Sequence, residues 1–201
     1  MRFRGYWLAG LGMAICAASA HAQATGTPSF NAPYRAFARY EFGGTLSLPS
    51  GPADVAVEGQ FRFGQGKWDI GVRGGIVRTD AGAGSSNSWI AGVEGRQRIL
   101  EHSASFPLDA AVVIGAGTSE FDAWTFPGTV TFGRRVDVED FSFIAYGQPG
   151  IFITTGTGDT DVSFGIGFGA DFRVGNALDL RVSVGILDGP EGLAVSLVWV
   201  R

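Results

Sequence analysis

The sequence predicts an all-β fold, a closed antiparallel up-and-down β-barrel of about ten strands, from three observations. Residues 159–174 place glycine, serine and paired charges on one parity, and bulky apolar side chains on the other: Val162, Phe164, Ile166, Phe168, Ala170 and Phe172. Because successive side chains of a strand point to opposite faces, this spacing predicts a strand. Other segments repeat the pattern, and glycine makes up 32 of the 201 residues, far more than turns require.

The chain begins with a predicted signal peptide, residues 1–22. Arg2 and Arg4 precede a short apolar run that ends in an Ala-x-Ala pattern, the usual form of a secretory cleavage site. We expect cleavage between Ala22 and Gln23. The run is too short for a spanning helix.

The mature chain is predicted to be one domain, residues 34–201, after a disordered start over residues 23–33, which are small, polar and proline-marked. The only cysteine, Cys16, lies in the leader, so disulfides and thiolate ligands are not expected. Loss of the two leader arginines takes the formal charge from −4 to −6, which opposes nucleic-acid binding. Charged residues are only 17% and lysine occurs once, unlike the surface of a soluble domain.

Ten segments share the alternating pattern and are predicted as strands. In chain order they cover residues 34–48, 54–64, 68–78, 88–99, 108–117, 128–138, 141–154, 159–174, 177–187 and 192–200.

The first five strands are separated by turn signals at residues 49–52, 64–67, 79–87 and 101–107, which are rich in glycine, proline or serine. Each strand has one apolar parity, interrupted in the first by Phe37 on the polar side. The apolar faces carry Tyr40, Phe42, Leu46 and Leu48, then Val55, Val57, Phe61 and Phe63, then Trp68, Ile70, Val72 and Ile76, then Trp89, Ala91 and Val93, then Leu108, Val112 and Ile114.

The later strands are less regular. A longer loop is expected over residues 118–127, and Arg134 breaks the apolar parity of the sixth strand, which suggests a bulge. Pro149 lies inside the seventh strand, where it removes a ladder donor, so we expect a kink there. If this segment or the first one fails to span, the count falls to eight. The last two apolar faces carry Leu178, Leu180, Val182, Val184 and Ile186, then Leu193, Val195, Leu197 and Trp199.

The apolar face is predicted to point outward, toward lipid, which makes the barrel transmembrane. Aromatic residues near strand ends are typical of an interfacial girdle, here Tyr34, Trp68, Trp89 and Trp199. An even strand count leaves both termini on one side. Turns after even strands are expected to be shorter than those after odd strands, as in outer-membrane barrels.

The polar face is predicted to form a narrow interior in which charges of opposite sign pair. A barrel of about ten strands is only slightly wider than one that its own side chains fill. We therefore expect a plugged interior, with a narrow channel for small solutes as the alternative. The predicted network comprises Arg35, Arg39, Glu41, Glu58, Arg62, Arg73, Glu94, Arg96, Arg98, Arg135, Asp137, Asp171, Arg173, Asp179 and Arg181.

In these patterns and in its leader the chain resembles the small outer-membrane β-barrel proteins of Gram-negative bacteria, the broad OmpA/OmpX-like group. The resemblance covers residues 34–201 and includes no unique motif. It implies an outer-membrane location, reached through the periplasm, with membrane lipid and the barrel-assembly machinery as partners. Members of that group usually end in an aromatic residue, whereas here Trp199 lies two residues before the end.

Chemistry is weakly signalled. His102 is flanked by Glu101, Ser103 and Ser105, so a lipid-modifying hydrolase is conceivable, but adjacent turn residues rarely form a catalytic triad. A glycine-rich loop with Asp159 and Asp161 lacks the ligand spacing of an EF-hand. We predict no enzyme activity, cofactor or metal. The expected role is structural or surface-interacting, and a soluble periplasmic β-domain remains a further alternative.

Overall fold

The computed structural model describes residues 24–33, 40–51, 53–80, 84–139, 141–156 and 158–201. These residues form an all-β structure of ten strands. They are β1 (Tyr40–Pro49), β2 (Ala53–Gln65), β3 (Trp68–Asp80), β4 (Ser85–Leu100), β5 (Asp109–Ser119), β6 (Ala123–Val138), β7 (Phe141–Thr155), β8 (Thr160–Arg173), β9 (Leu178–Ile186) and β10 (Gly192–Val200). Within the described ranges, no helix has the length and apolarity needed to cross a membrane.

The sheet closes on itself. Each strand is antiparallel to its neighbours in sequence, and β1 pairs with β10 from Glu41 opposite Val200 to Pro49 opposite Gly192. The predicted fold class, a closed antiparallel up-and-down barrel, is therefore confirmed, with ten strands and not eight. Closure leaves no strand edge unpaired.

Both termini of the sheet, Tyr40 and Val200, lie at one end of the barrel, which we call the terminal end. The opposite end, where β1 turns into β2, is called the far end. The expected difference in turn length between the two ends is seen only in part. The shortest connections, of two residues each, join β2 to β3 and β6 to β7 at the terminal end, but the longest, residues 101–108, lies at the same end.

Two prolines lie inside strands, and the ladder is interrupted at each. Pairing of β6 with β7 passes from Thr129–Gly150 directly to Phe132–Gly147, beside Pro149. This fits the kink predicted in the seventh segment. Pairing of β5 with β6 is likewise interrupted beside Pro127. Because proline has no N–H to donate, a strand tolerates it only where no ladder hydrogen bond is required.

β6 departs most from the prediction. It begins at Ala123, so much of the loop expected over residues 118–127 is strand. The prediction failed because Pro127 looked like a boundary. The bulge expected at Arg134 is also wrong: Arg134 pairs regularly with Ala145 and its side chain is exposed. Of the first predicted strand, residues 34–39 lie outside the described residues.

The two faces of the barrel differ as the alternation predicts. On β8, Phe164 and Phe168 are 50% and 46% exposed on the outer face, whereas Asp171 is 0% exposed on the inner face. Around the sheet the exposed large side chains of the outer face are aliphatic or aromatic, and the buried charged and hydroxyl side chains lie on the inner face together with some apolar ones, such as Ile144 and Phe152. The buried centre of the molecule is therefore a largely polar lumen.

Candidate functional site

The lumen gathers most of the predicted charge network. The residues buried there are Glu41, Glu58, Arg62, Arg73, Glu94, Arg96, Asp171, Asp179 and Arg181. Arg98 and Arg173 are partly buried, whereas Arg135 and Asp137 pair with each other on an exposed part of β6. Arg35 and Arg39 lie outside the described residues.

The first charge cluster joins β2, β3 and β4. Arg62 forms ion pairs with Asp69 and Glu94, and Arg96 Nε lies 2.8 Å from Asp69 Oδ2. Arg73 lies beside Glu94, with 3.6 Å between Nη2 and Oε1. Asp69 was not among the predicted network residues, although its parity on the third strand was a usable signal.

A glycine makes room for the Arg62 guanidinium. A Cβ on Gly71, the cross-strand partner of Arg62, would lie 2.8 Å from Arg62 Nη2. The absent side chain lets the guanidinium lie across β3 and reach carboxylates on β3 and β4. Hydrogen bonds between a guanidinium and carboxylates are charge-assisted, and they are stronger than those between neutral groups.

The second charge cluster joins β1, β8 and β9. Arg181 places Nη2 2.8 Å from Glu41 Oε2 and Nε 2.9 Å from Asp171 Oδ2. Asp171 is its direct cross-strand partner. Nearer the terminal end, Arg173 Nε pairs with Asp179 Oδ1 at 2.6 Å. Alternating parity on neighbouring strands is what brings these charges face to face.

A stretch of main chain, residues 24–33, occupies the remaining lumen, and we call it the luminal segment. Ala24 of this segment lies beside Gly117, near the far end of β5. Pro33 lies beside Gly133, which pairs with the first residue of β5, at the terminal end. The segment therefore runs through the barrel from the far end toward the terminal end. Where the sequence predicts a disordered start, residues 24–33 are instead largely buried.

Asn31 links the two charge clusters. Its Nδ2 donates to Glu94 Oε1 at 3.0 Å, and its Oδ1 accepts from Arg181 Nη1 at 3.4 Å. Its main-chain N–H donates to Gln148 Oε1 at 3.3 Å, and its carbonyl accepts from Thr131 Oγ1 at 3.1 Å. One amide side chain thus satisfies an acid and a base on opposite walls.

Phe30 is the apolar anchor of the luminal segment. It is 2% exposed and packs in a small cluster with Ala32, Ile144 and Tyr146. Gly167 and Gly185 lie against its ring, and a Cβ on either residue would press on ring atoms. Tyr146 Oη donates to the Phe30 carbonyl at 2.9 Å. Burial of a phenylalanine in this way stabilises the seated segment by roughly 1.5–3 kcal/mol.

Aromatic side chains form two bands on the outer face. At the terminal end Phe42 stacks on Trp199 with centroids 6.0 Å apart, and Phe63 meets Trp68 edge-on at 6.2 Å. At the far end the band comprises Trp89, Phe121, Trp124 and Phe126. Of the four predicted girdle residues, Trp68, Trp89 and Trp199 are exposed and belong to these bands, and Tyr34 lies outside the described residues.

The spacing of the bands follows from the register. Trp89 pairs with Ile76, eight positions beyond Trp68 on β3, which is roughly 26 Å along a strand. For strands tilted by about 40° this corresponds to roughly 20 Å along the barrel axis. Between the bands the outer face carries aliphatic side chains and phenylalanines such as Phe168.

His102 lies on the β4–β5 connection. Its Nδ1 is 3.2 Å from Asp109 Oδ2, and its main-chain N–H donates to Asp109 Oδ1 at 3.0 Å. Ser103 and Ser105 bond to each other at 3.0 Å. Within the described chain, the hydrogen bonds of the imidazole go to Asp109, so the histidine and acid of a triad are present without a bonded serine.

The far end carries an acidic hollow of about 550 Å³ lined by Ser50, Asp161, Ser163, Asp188 and Glu191. Asp161 is one of the two aspartates of the glycine-rich segment that lacks the ligand spacing of an EF-hand calcium site. Among the described residues, no group of three or more histidine, cysteine or acidic residues has the geometry to hold a metal ion. The three acids of the hollow are exposed.

Fold and site together define the class: a closed ten-stranded β-barrel with an apolar outer face and a charged lumen that its own N-terminal segment occupies. No protein-family model matches the chain, and no curated protein matches it significantly. These comparisons therefore do not link it to the OmpA/OmpX-like group.

Proposed function

We propose that the protein is an integral barrel of a bacterial outer membrane, with a closed lumen and a structural or surface-interaction role. The observation that carries the proposal is the outer face. Its exposed large side chains between the aromatic bands are aliphatic and aromatic, for example Leu46, Val57, Val72 and Ile114, and Arg134 on β6 is an exposed charge on the same face.

A continuous apolar belt is matched to lipid and mismatched to water. Soluble monomers rarely expose apolar patches beyond a few hundred Å², whereas this belt surrounds the molecule. In hydrocarbon, each main-chain polar group must be paired within the protein, and a closed barrel achieves this. The band spacing of roughly 20 Å is near the apolar height of about 25 Å found in outer-membrane barrels.

A soluble barrel of lipocalin type is the competing class, and it requires the opposite arrangement. Its lumen would hold the apolar parity and its surface the charges. In this chain Arg62, Glu94 and Arg181 are buried in the lumen, and the apolar parity faces outward. The arrangement of faces therefore favours the membrane class.

The closed lumen supports a structural role. Ion pairs and the luminal segment occupy it: Phe30 and Asn31 are 2% and 3% exposed, and Asn31 bonds to both Glu94 and Arg181. The lipid-hydrolase alternative rests on His102, whose hydrogen bonds among the described residues reach an acid and no serine.

Membrane fractionation tests this function. The full chain, expressed in a Gram-negative host, is expected in the outer-membrane fraction after an alkaline wash, and its electrophoretic mobility should change on heating. Recovery as a soluble periplasmic protein would overturn the proposal. Planar bilayers should then show long closed periods for the inserted wild-type protein.

A further inference from the structure

We propose that the lumen is a peptide-binding channel, with residues 24–33 of its own chain as the bound peptide, and that small ions pass when this segment leaves. The inference rests on the proposed membrane location. It goes beyond that proposal because it gives the barrel an open state and identifies what closes it.

The lumen is shaped to the segment. Three inward-facing glycines have segment atoms as their nearest neighbours, and a methyl group on any of them would collide with the segment: Gly92, Gly117 and Gly167. Gly133 and Gly185 also lie near the segment, but Ala145 and Pro190 crowd their Cβ positions first. Glycine in a strand weakens the strand but allows another main chain to approach closely. Their position along one path through the barrel marks a groove for a peptide chain.

The walls recognise the main chain of the segment. Ser183 Oγ donates to the Pro28 carbonyl at 2.7 Å and accepts from the Phe30 N–H at 3.3 Å. Arg73 Nη1 donates to the Ser29 carbonyl at 3.3 Å, and Arg96 donates to the Ala32 carbonyl. Contacts of this kind bind peptides as a class, whereas specificity comes from side-chain pockets.

Two adjacent side chains supply that specificity. The Phe30 ring fills the space over Gly167 and Gly185, and the Asn31 amide lies between Glu94 and Arg181. Residues 24–33 contain no charged side chain. The preferred ligand is therefore an uncharged peptide with an aromatic residue followed by a residue with an amide side chain.

Departure of the segment would leave the barrel wall intact. The ladder closes through ten strands, and residues 24–33 belong to none of them. Glu58, Glu94 and Arg181 line the vacated groove, and each would lose a hydrogen bond to the segment that only water could replace. Water would fill it, and a hydrated passage lined by both signs of charge should conduct small ions with weak charge selectivity.

The test weakens the two anchors in the full chain. Phe30→Ala combined with Asn31→Ala is inserted into planar bilayers of diphytanoylphosphatidylcholine in potassium chloride. Truncating a buried phenylalanine alone shifts such an equilibrium by about a hundredfold. We therefore expect the open probability to rise by about that factor over wild type, up to saturation.

A synthetic peptide then distinguishes loss of a specific peptide contact from a general destabilisation of the barrel. The peptide with the sequence of residues 24–33 should block the current of the double variant. The same peptide with alanine at the positions of Phe30 and Asn31 should not block it. Equal block by both peptides, or by neither, contradicts a specific peptide site.

A disulfide lock keeps the test informative if the double variant fails to fold. A Cβ on Gly92 would lie 2.6 Å from Ala24 Cβ, so a bridge needs a shift of about 1 Å to reach ordinary disulfide geometry. Ala24→Cys with Gly92→Cys, in an otherwise wild-type chain, should abolish openings when oxidised and restore them when reduced. Each single cysteine variant should show no redox response.

Failure of the membrane proposal and failure of the channel proposal give different results. If fractionation finds the wild type soluble, the membrane proposal fails first. If the variants insert and shift on heating but conduct no more than wild type, and the oxidised lock changes nothing, the barrel stands and the channel is refuted.

Discussion

Arg181→Ala provides the sharpest test of the buried charge network. Arg181 is 5% exposed and pairs with both Glu41 and Asp171, while its third contact is the Asn31 amide. Removing it leaves two buried carboxylates, and breaking one buried pair costs about 3–5 kcal/mol. We expect the free energy of unfolding to fall by about that amount.

Urea unfolding in detergent micelles, followed by tryptophan fluorescence, measures the loss. Arg135→Ala is the matched control, because Arg135 pairs with Asp137 on an exposed part of β6 and such pairs contribute about 0–1 kcal/mol. Adding Glu41→Gln to Arg181→Ala should recover part of the loss, since one stranded charge disappears. If the Arg181 and Arg135 variants unfold at the same urea concentration, the buried network does not stabilise the barrel.

Three further perturbations test other parts of the structure. Leu46→Arg, at the middle of the outer belt, should lower the free energy of unfolding of the inserted barrel by about 2–4 kcal/mol. Val138→Arg, at the terminal end of β6, should lower it by only about 0–1 kcal/mol, and urea titration in lipid vesicles measures both. Gly167→Ala should lower the heat-modification temperature by crowding the luminal segment, while Gly95→Ala, with open space around its Cβ, should not. Purified wild-type protein and its His102→Ala variant should hydrolyse lipid at the same background rate, and a higher rate in the wild type alone would support the enzyme hypothesis.

The parity of side chains made the barrel predictable. Alternation fixes which face each residue takes, so the burial of Glu94, Arg96 and Arg181 could be expected from sequence. The pairing partners could not, because parity gives no register between paired strands. Asp69 shows the limit: its face was evident, but its contact with Arg96 depends on the β3–β4 register.

The luminal segment was missed for a related reason. Residues 24–33 have neither helical nor strand periodicity, and their order comes from contacts with residues more than a hundred positions away, such as Gln148 and Ser183. Local composition therefore predicts a disordered segment at these residues. The available signal lay elsewhere, in glycines on the inward parity at positions such as 167 and 185, which imply that another chain comes close.

Strand number explains why these features occur together. Eight strands give a lumen that wall side chains can just fill, and each further strand widens it. With ten strands, and with glycine on much of the inner face, the charged side chains cannot meet across the axis by themselves. Glu94 and Arg181 instead meet through Asn31, which stands between them. The inserted chain is thus a consequence of barrel width, and a barrel of this width without it would contain water.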